Sequence, residues 1–89
     1  MFLRANKMEK EIGIITNYFE NIHVAIVKLT GSLKVNDRIH IVGSETDFEQ
    51  FVNEIQIDKK NVEEVSNADI GLKVEEPVRK KDKIFLVTI

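Results

Sequence analysis

The sequence predicts an all-β protein, a small closed antiparallel barrel of six to seven strands. Short runs rich in Ile, Val, Phe and Tyr succeed one another at the spacing of sandwiches and barrels, with turn residues between them. The helix-forming segments that a parallel α/β sheet needs between its strands are missing. Closure would remove edges that a chain so rich in Ile and Val otherwise exposes.

Taken in order, "EIGIITNYF" (11–19) is β-branched and aromatic and opens around Gly13. "NIHVAIVKLT" (21–30) is apolar on both alternations, with Val24 and Ile26 on one face and Ala25, Val27 and Leu29 on the other. A strand of that kind is expected to be covered on both sides. "RIHIV" (38–42) alternates with Ile39 and Ile41 inward and stops at Gly43. In "DFEQFVNEIQID" (47–58), Phe48 and Val52 share one phase while Phe51, Ile55 and Ile57 share the other. That predicts a bulged strand, although Phe48, Phe51, Val52 and Ile55 also have helical spacing. After Val62, Val65 and the turn residues Ser66, Asn67 and Asp69 comes a strand with Ile70, Leu72 and Val74 inward. Pro77 ends it or marks an edge, and "KIFLVTI" (83–89) is the last strand.

Eighty-nine residues make one domain, placed at 11–89, with 1–10 read as an N-terminal arm. Hydrophobic residues at 43% and charged residues at 31% put the chain in the globular class. It has no cysteine, which excludes disulfides and thiolate metal sites and suits a cytoplasmic setting. The start lacks the apolar run of a signal peptide, and no stretch has the length of a membrane span. The net charge of −2 is uneven: 45–69 holds eight acids against Lys59 and Lys60, leaving the rest of the chain positive.

Two stretches read alike about 45 residues apart, "LKVNDRIHIV" (33–42) and "VRKKDKIFLV" (78–87). In each, a turn carrying basic residues precedes Asp, whose carboxylate can accept from nearby backbone N–H groups, and a strand follows. Two equivalent entries into two strands explain the repeat without any catalytic role. Duplication and two halves of a binding site are the other readings.

"GSLKVNDRIHIV", with "VAIVKL" before it and "VEEVSNADIGLKV" and "VRKKDKIFLV" after it, resembles the second domain of elongation factor Tu and related translation GTPases. That resemblance implies a six-stranded barrel with an early turn at Gly31, Leu33, Lys34, Val35, Asn36 and Asp37 and a late turn at Lys81 and Asp82. The chain is also similar, through "IGIITNYF" and "TDFEQFV", to the C-terminal barrel of U32-type peptidases. The translation family usually has Gly before each turn Asp, where this chain has Asn36 and Lys81. Asn adopts a left-handed backbone at small cost, Lys less readily. No phosphate-binding G-x-x-x-x-G-K-[ST] is present, so neither nucleotide nor other cofactor is expected.

Chemistry finds little support. His23 and His40 are read as strand-surface or satisfied histidines, without ligand spacing for a metal. Glu63–Glu64 and Glu75–Glu76 point to opposite faces when extended, and Ser32, Ser44 and Ser66 lie in turns. The expectation is therefore a non-catalytic binding module. Its candidate patch is Lys28, Lys34, Arg38, Arg79, Lys80, Lys81 and Lys83, with Gly31, Asn36, Asp37 and Asp82 defining the turns. If the two turns met at one end of the barrel they would form a cationic face for phosphates, with Tyr18 and Phe19 as candidate base platforms. The resemblance implies tRNA, the ribosome or a ribonucleoprotein as partner. A protein-docking module, or an accessory barrel for a U32-type enzyme, is the alternative.

Overall fold

The computed structural model describes residues 7–89 and contains ten strands. These are β1 (Met8–Phe19), β2 (Val24–Leu29), β3 (Ser32–Lys34), β4 (Arg38–Val42), β5 (Asp47–Phe51), β6 (Ile55–Ile57), β7 (Lys60–Val62), β8 (Glu64–Ser66), β9 (Asp69–Lys73) and β10 (Lys83–Thr88). A single 3-10 turn, Glu20–Ile22, joins β1 to β2. All pairings are antiparallel, in an eight-stranded sheet of order β5-β4-β10-β1-β2-β9-β6-β7 and a two-stranded ribbon of β3 and β8. No helix among the described residues is long and apolar enough to cross a membrane.

The core lies on one face of the curled sheet. Ile12 and Ile15 of β1, Ala25 and Val27 of β2, Ile39 and Ile41 of β4, Ile70 and Leu72 of β9 and Ile84 of β10 are at most 2% exposed. Leu33 and Val65, from the two strands of the ribbon, close over the same cluster. Each Ile, Leu or Val among them removed from water contributes about 1.5–3 kcal/mol. Two register shifts, between Glu11 and Gly13 and between Ile15 and Asn17, bend β1 so that it serves β10 first and β2 afterwards.

The all-β expectation holds, with more and shorter strands than foreseen. The expected closed barrel does not form by backbone pairing, because β5 and β7 are the two ends of the sheet and do not pair with each other. A side chain instead ties β5 to the end of β9. Gln50 of β5 is 4% exposed; its Nε2 donates to the Lys73 carbonyl at 3.0 Å and its Oε1 accepts from the Glu75 amide at 2.8 Å. The bulged strand expected over 47–58 is two strands, β5 and β6, interrupted where the Val52 backbone turns away to bond Asn36 and Asp37. Residues 1–6 of the expected arm lie outside the described residues. Of the remainder, Met8–Lys10 is already strand, with Met8 opposite Thr88. His23 is not in a strand but in a turn with φ 56°, and its carbonyl accepts from the Val74 amide.

Candidate functional site

The doubled sequence is a doubled turn. The Asp37 amide donates to the Lys34 carbonyl and the Asp82 amide to the Arg79 carbonyl, both at 3.1 Å. The third residues, Asn36 and Lys81, have φ of 78° and 77°, the signature of a type II turn. Each Asp carboxylate then accepts from the first residue of its turn, Asp37 from the Lys34 amide at 3.0 Å and Asp82 from the Arg79 amide at 2.8 Å. The equivalence extends to the neighbouring strand. Asn36 donates to the Val52 carbonyl and Asp37 accepts from the Val52 amide; Lys81 and Asp82 do the same to Ile15. Lys81 thus keeps the geometry that its side chain made less expected. Gly31 stands apart, before β3, where a Cβ would come within 2.9 Å of Ile12 Cγ2.

The turns do not meet at one end. In the β4–β10 ladder Arg38 lies opposite Val87 and Lys83 opposite Val42, with His40 opposite Phe85 at the centre. The copies are therefore related by a local two-fold through that central pair. Their turns point away from each other: on the register of this ladder Asp37 and Asp82 lie six residue steps apart, about 20 Å at ~3.4 Å each. The cationic candidates divide accordingly. Lys34 and Arg38 sit at one end; Arg79, Lys80, Lys81 and Lys83 sit at the other, with Lys28 two strands from Lys83 through Ile14. Arg79 pairs with Glu45 at 2.7 Å, Arg38 with Glu49 at 2.7 Å and Lys83 with Glu11 at 3.7 Å. The single cationic face is not formed. Of the candidate base platforms, Tyr18 packs against the core while Phe19 is 46% exposed.

Between the turns, the outer face of the sheet carries a charged cluster centred on His40. Nδ1 of His40 lies 2.7 Å from Glu9 Oε1 on β1, and Nε2 lies 2.5 Å from Asp47 Oδ1 on β5. Ionised carboxylates only accept, so holding both contacts requires both ring nitrogens to donate, which is the imidazolium. The bond to Asp47 foremost, and that to Glu9, hold the His40 pKa above its ordinary value against the opposing effect of partial burial. The bond to His40 holds Glu9 below the usual carboxylate range. Lys7 and Arg38 both pair with Glu49 and hold it low as well. Glu9, His40 and Glu49 offer atoms within 4.8 Å of one another, the spacing of a metal site. Two fixed cations on Glu49 already balance the charge there, so the arrangement is an ion-pair network.

The other outer feature is an apolar groove. Val24 and Ile26, the face of β2 turned away from the core, form its floor with Gly71 of β9 and Gln56 of β6. Phe19 and Ile22, 46% and 56% exposed, form one wall. The space measures about 330 Å³ and continues into one of about 180 Å³ towards Glu54 and Lys73. Gly71 has no left-handed backbone, and a Cβ there would sit 3.4 Å from Val24 Cγ1 and 3.7 Å from Gln56 Cβ, ordinary contacts. The missing side chain leaves the trough open. The sequence pattern of β2 called for cover on both faces, and the fold supplies it on one.

No family model matches the chain. Over 86 residues, 93% of its length, the chain is 35% identical to an uncharacterised protease of Methanocaldococcus jannaschii, of which it spans 21%. The structure superposes on the C-terminal domain of a Geobacillus thermoleovorans protein assigned to the U32 peptidases, with a TM-score of 0.80 at 16% identity over 86% of this chain and 91% of that domain. The selenomethionine variant of the same domain gives 0.79 at 18% identity, over 84% and 96%. The chain has the fold of a U32 peptidase C-terminal domain. Of the two resemblances read from the sequence, this is the one the solved structures support. The chain spans about a fifth of the curated relative it matches.

Within this U32 C-terminal fold, neither the His40 cluster nor the groove was legible as a site. The cluster draws Lys7 and Glu9 from a segment read as an arm, and the groove is lined by residues distant in sequence. The signal for the groove was present in β2, whose second apolar face had no partner assigned.

Proposed function

We propose that this chain is a non-catalytic docking module that acts with a U32-type protease body, the apolar groove on β2, β6 and β9 receiving an apolar-anchored segment of that body. The likeness to one fifth of a protease, in the fold of a C-terminal domain, supports this reading. The observation that carries it is the uncovered face of β2, with Val24, Ile26, Phe19 and Ile22 around a glycine that no backbone constraint requires. The RNA reading from the translation-factor resemblance has less behind it. Its patch is split between opposite ends of a ladder, and three of its cations are paired with carboxylates.

The test is a chimera in which this chain replaces the matching segment of the Methanocaldococcus jannaschii protease. Hydrogen exchange should show the amides of Val24, Ile26 and Gly71 better protected in the chimera than in the isolated chain. Gly71→Leu, which fills the trough, should remove the difference. Equal protection in chimera and isolated chain would overturn docking at this groove. Binding of tRNA at low salt, weakened by Lys80→Ala, would restore the RNA reading in its place.

A further inference from the structure

We infer that His40 is the pin of a pH-sensitive clip holding the first residues of β1 across the outer face of the sheet. The backbone makes this segment the weakest part of the strand. β1 pairs with β2 only from Gly13 onward, so Met8–Glu11 has a ladder on one side alone, against β10. The register shift between Glu11 and Gly13 separates the singly paired part from the doubly paired part and forms a natural hinge. What adds to the single ladder is made of side chains. Glu9 reaches over β10 to His40 on β4, and Lys7 reaches further, to Glu49 on β5. Beneath these links Val87, on the outer face, is only 6% exposed.

The groups facing His40 account for the switch. Lys7, Glu9 and Glu11 come from β1 and the residue before it, Arg38 from β4, Asp47 and Glu49 from β5, and Lys83 from β10, where it pairs with Glu11. Phe85 and Val87 of β10 and Val42 of β4 bring no charge. With His40 protonated, Lys7, Arg38 and His40 balance Glu9, Asp47 and Glu49. Loss of the proton leaves one excess negative charge and sets an imidazole lone pair against a carboxylate, so one link must break. If the Glu9 link breaks, Met8–Glu11 swings about the bulge, uncovering Val87 and freeing an edge of β10. The device concerns a different face from the groove and stands independently of the docking reading.

Amide hydrogen exchange of the whole chain from pH 6 to pH 9, corrected for the intrinsic pH dependence of exchange, tests the clip. Protection of Met8–Glu11 should fall as His40 loses its proton, about tenfold for each pH unit by which His40 titrates above its ordinary value. The core amides of Ile41 and Ile84 should not follow. In His40→Gln the profile of Met8–Glu11 should be flat. Asp47→Asn, at a side chain 77% exposed and so safe for folding, should move the midpoint to lower pH. A flat wild-type profile, the same fall in His40→Gln, or a His40 ring that titrates by NMR at or below pH 6.5 would each overturn the clip.

Discussion

Gly43 holds the Asp82 carboxylate against bare backbone: a methyl on this glycine would lie 1.8 Å from Asp82 Oδ1 and 2.6 Å from its Cγ. Asp82 is 3% exposed, and its other oxygen is engaged by the Arg79 amide. Gly43→Ala must therefore push Asp82 out of its turn. A loss of about 2–3 kcal/mol is expected from overpacking and the broken bond together. Urea unfolding of Gly43→Ala, Asp82→Ala and the double variant measures it. The double variant should lose clearly less than the sum of the single losses, since Asp82→Ala removes the obstacle.

Lys81 and Asn36 occupy the same left-handed position in the two turns, and a lysine holds it with strain. Lys81→Gly relieves about 1–2 kcal/mol of that strain against about 0.5–1 kcal/mol of added chain entropy, for a net gain between zero and about 1.5 kcal/mol. Lys81→Val, β-branched at positive φ, should instead cost about 2 kcal/mol. Thermal unfolding of the two variants should bracket the wild type. A Lys81→Gly variant less stable than Lys81→Val would contradict the assigned turn.

Gln50 ties β5 to the end of β9 and the segment beyond it. Gln50→Leu keeps the volume but strands the Glu75 amide and the Lys73 carbonyl, at a cost of about 1–3 kcal/mol. The loss should be local as well as global, with hydrogen exchange at Glu75 accelerated more than at Ile41.

The stability of the whole chain should depend on pH through the His40 cluster, and the signs differ by group. His40 has its pKa raised on folding, so its contribution is complete below pH 6.5 and is lost as pH rises through the folded value. Glu9 and Glu49 have theirs lowered, so their contribution is complete above pH 4.5 and is lost as pH falls through the folded values. The denaturation midpoint should therefore peak between pH 4.5 and pH 6.5. One molar salt should flatten both limbs, since these groups lie at the surface, and His40→Gln should remove the alkaline limb and weaken the part of the acid limb that Glu9 carries, leaving the part carried by Glu49.

Much of the fold was legible because alternation reports burial directly. Ile39 and Ile41, and Ile70 and Leu72, face inward as their period of two requires. The repeated Asp turns were legible too, because their chemistry is local to four residues. The link between β5 and the end of β9 was not legible, since it rests on a single glutamine in a phase otherwise held by Phe48 and Val52, and a buried polar bridge leaves no periodic trace. The cationic patch failed for a related reason. Similar sequences announce similar turns, but only the antiparallel register of β4 and β10 fixes where those turns point. The partners of His40 lie on two other strands, and pairing across a sheet is invisible to spacing along a chain.

The place of β10 in the sheet bears on how the molecule is made. It is the last of the ten strands in sequence, yet it lies between β4 and β1, with β5 and β4 on one side and β1, β2, β9, β6 and β7 on the other. Until Lys83–Thr88 is available the sheet is two separate pieces with open edges facing each other. During synthesis the two pieces must wait, unjoined, while the ribosome delivers the strand that fills the gap between them. A chain cut short before Lys83 would therefore lose its middle rather than its margin, exposing adhesive edges on both halves.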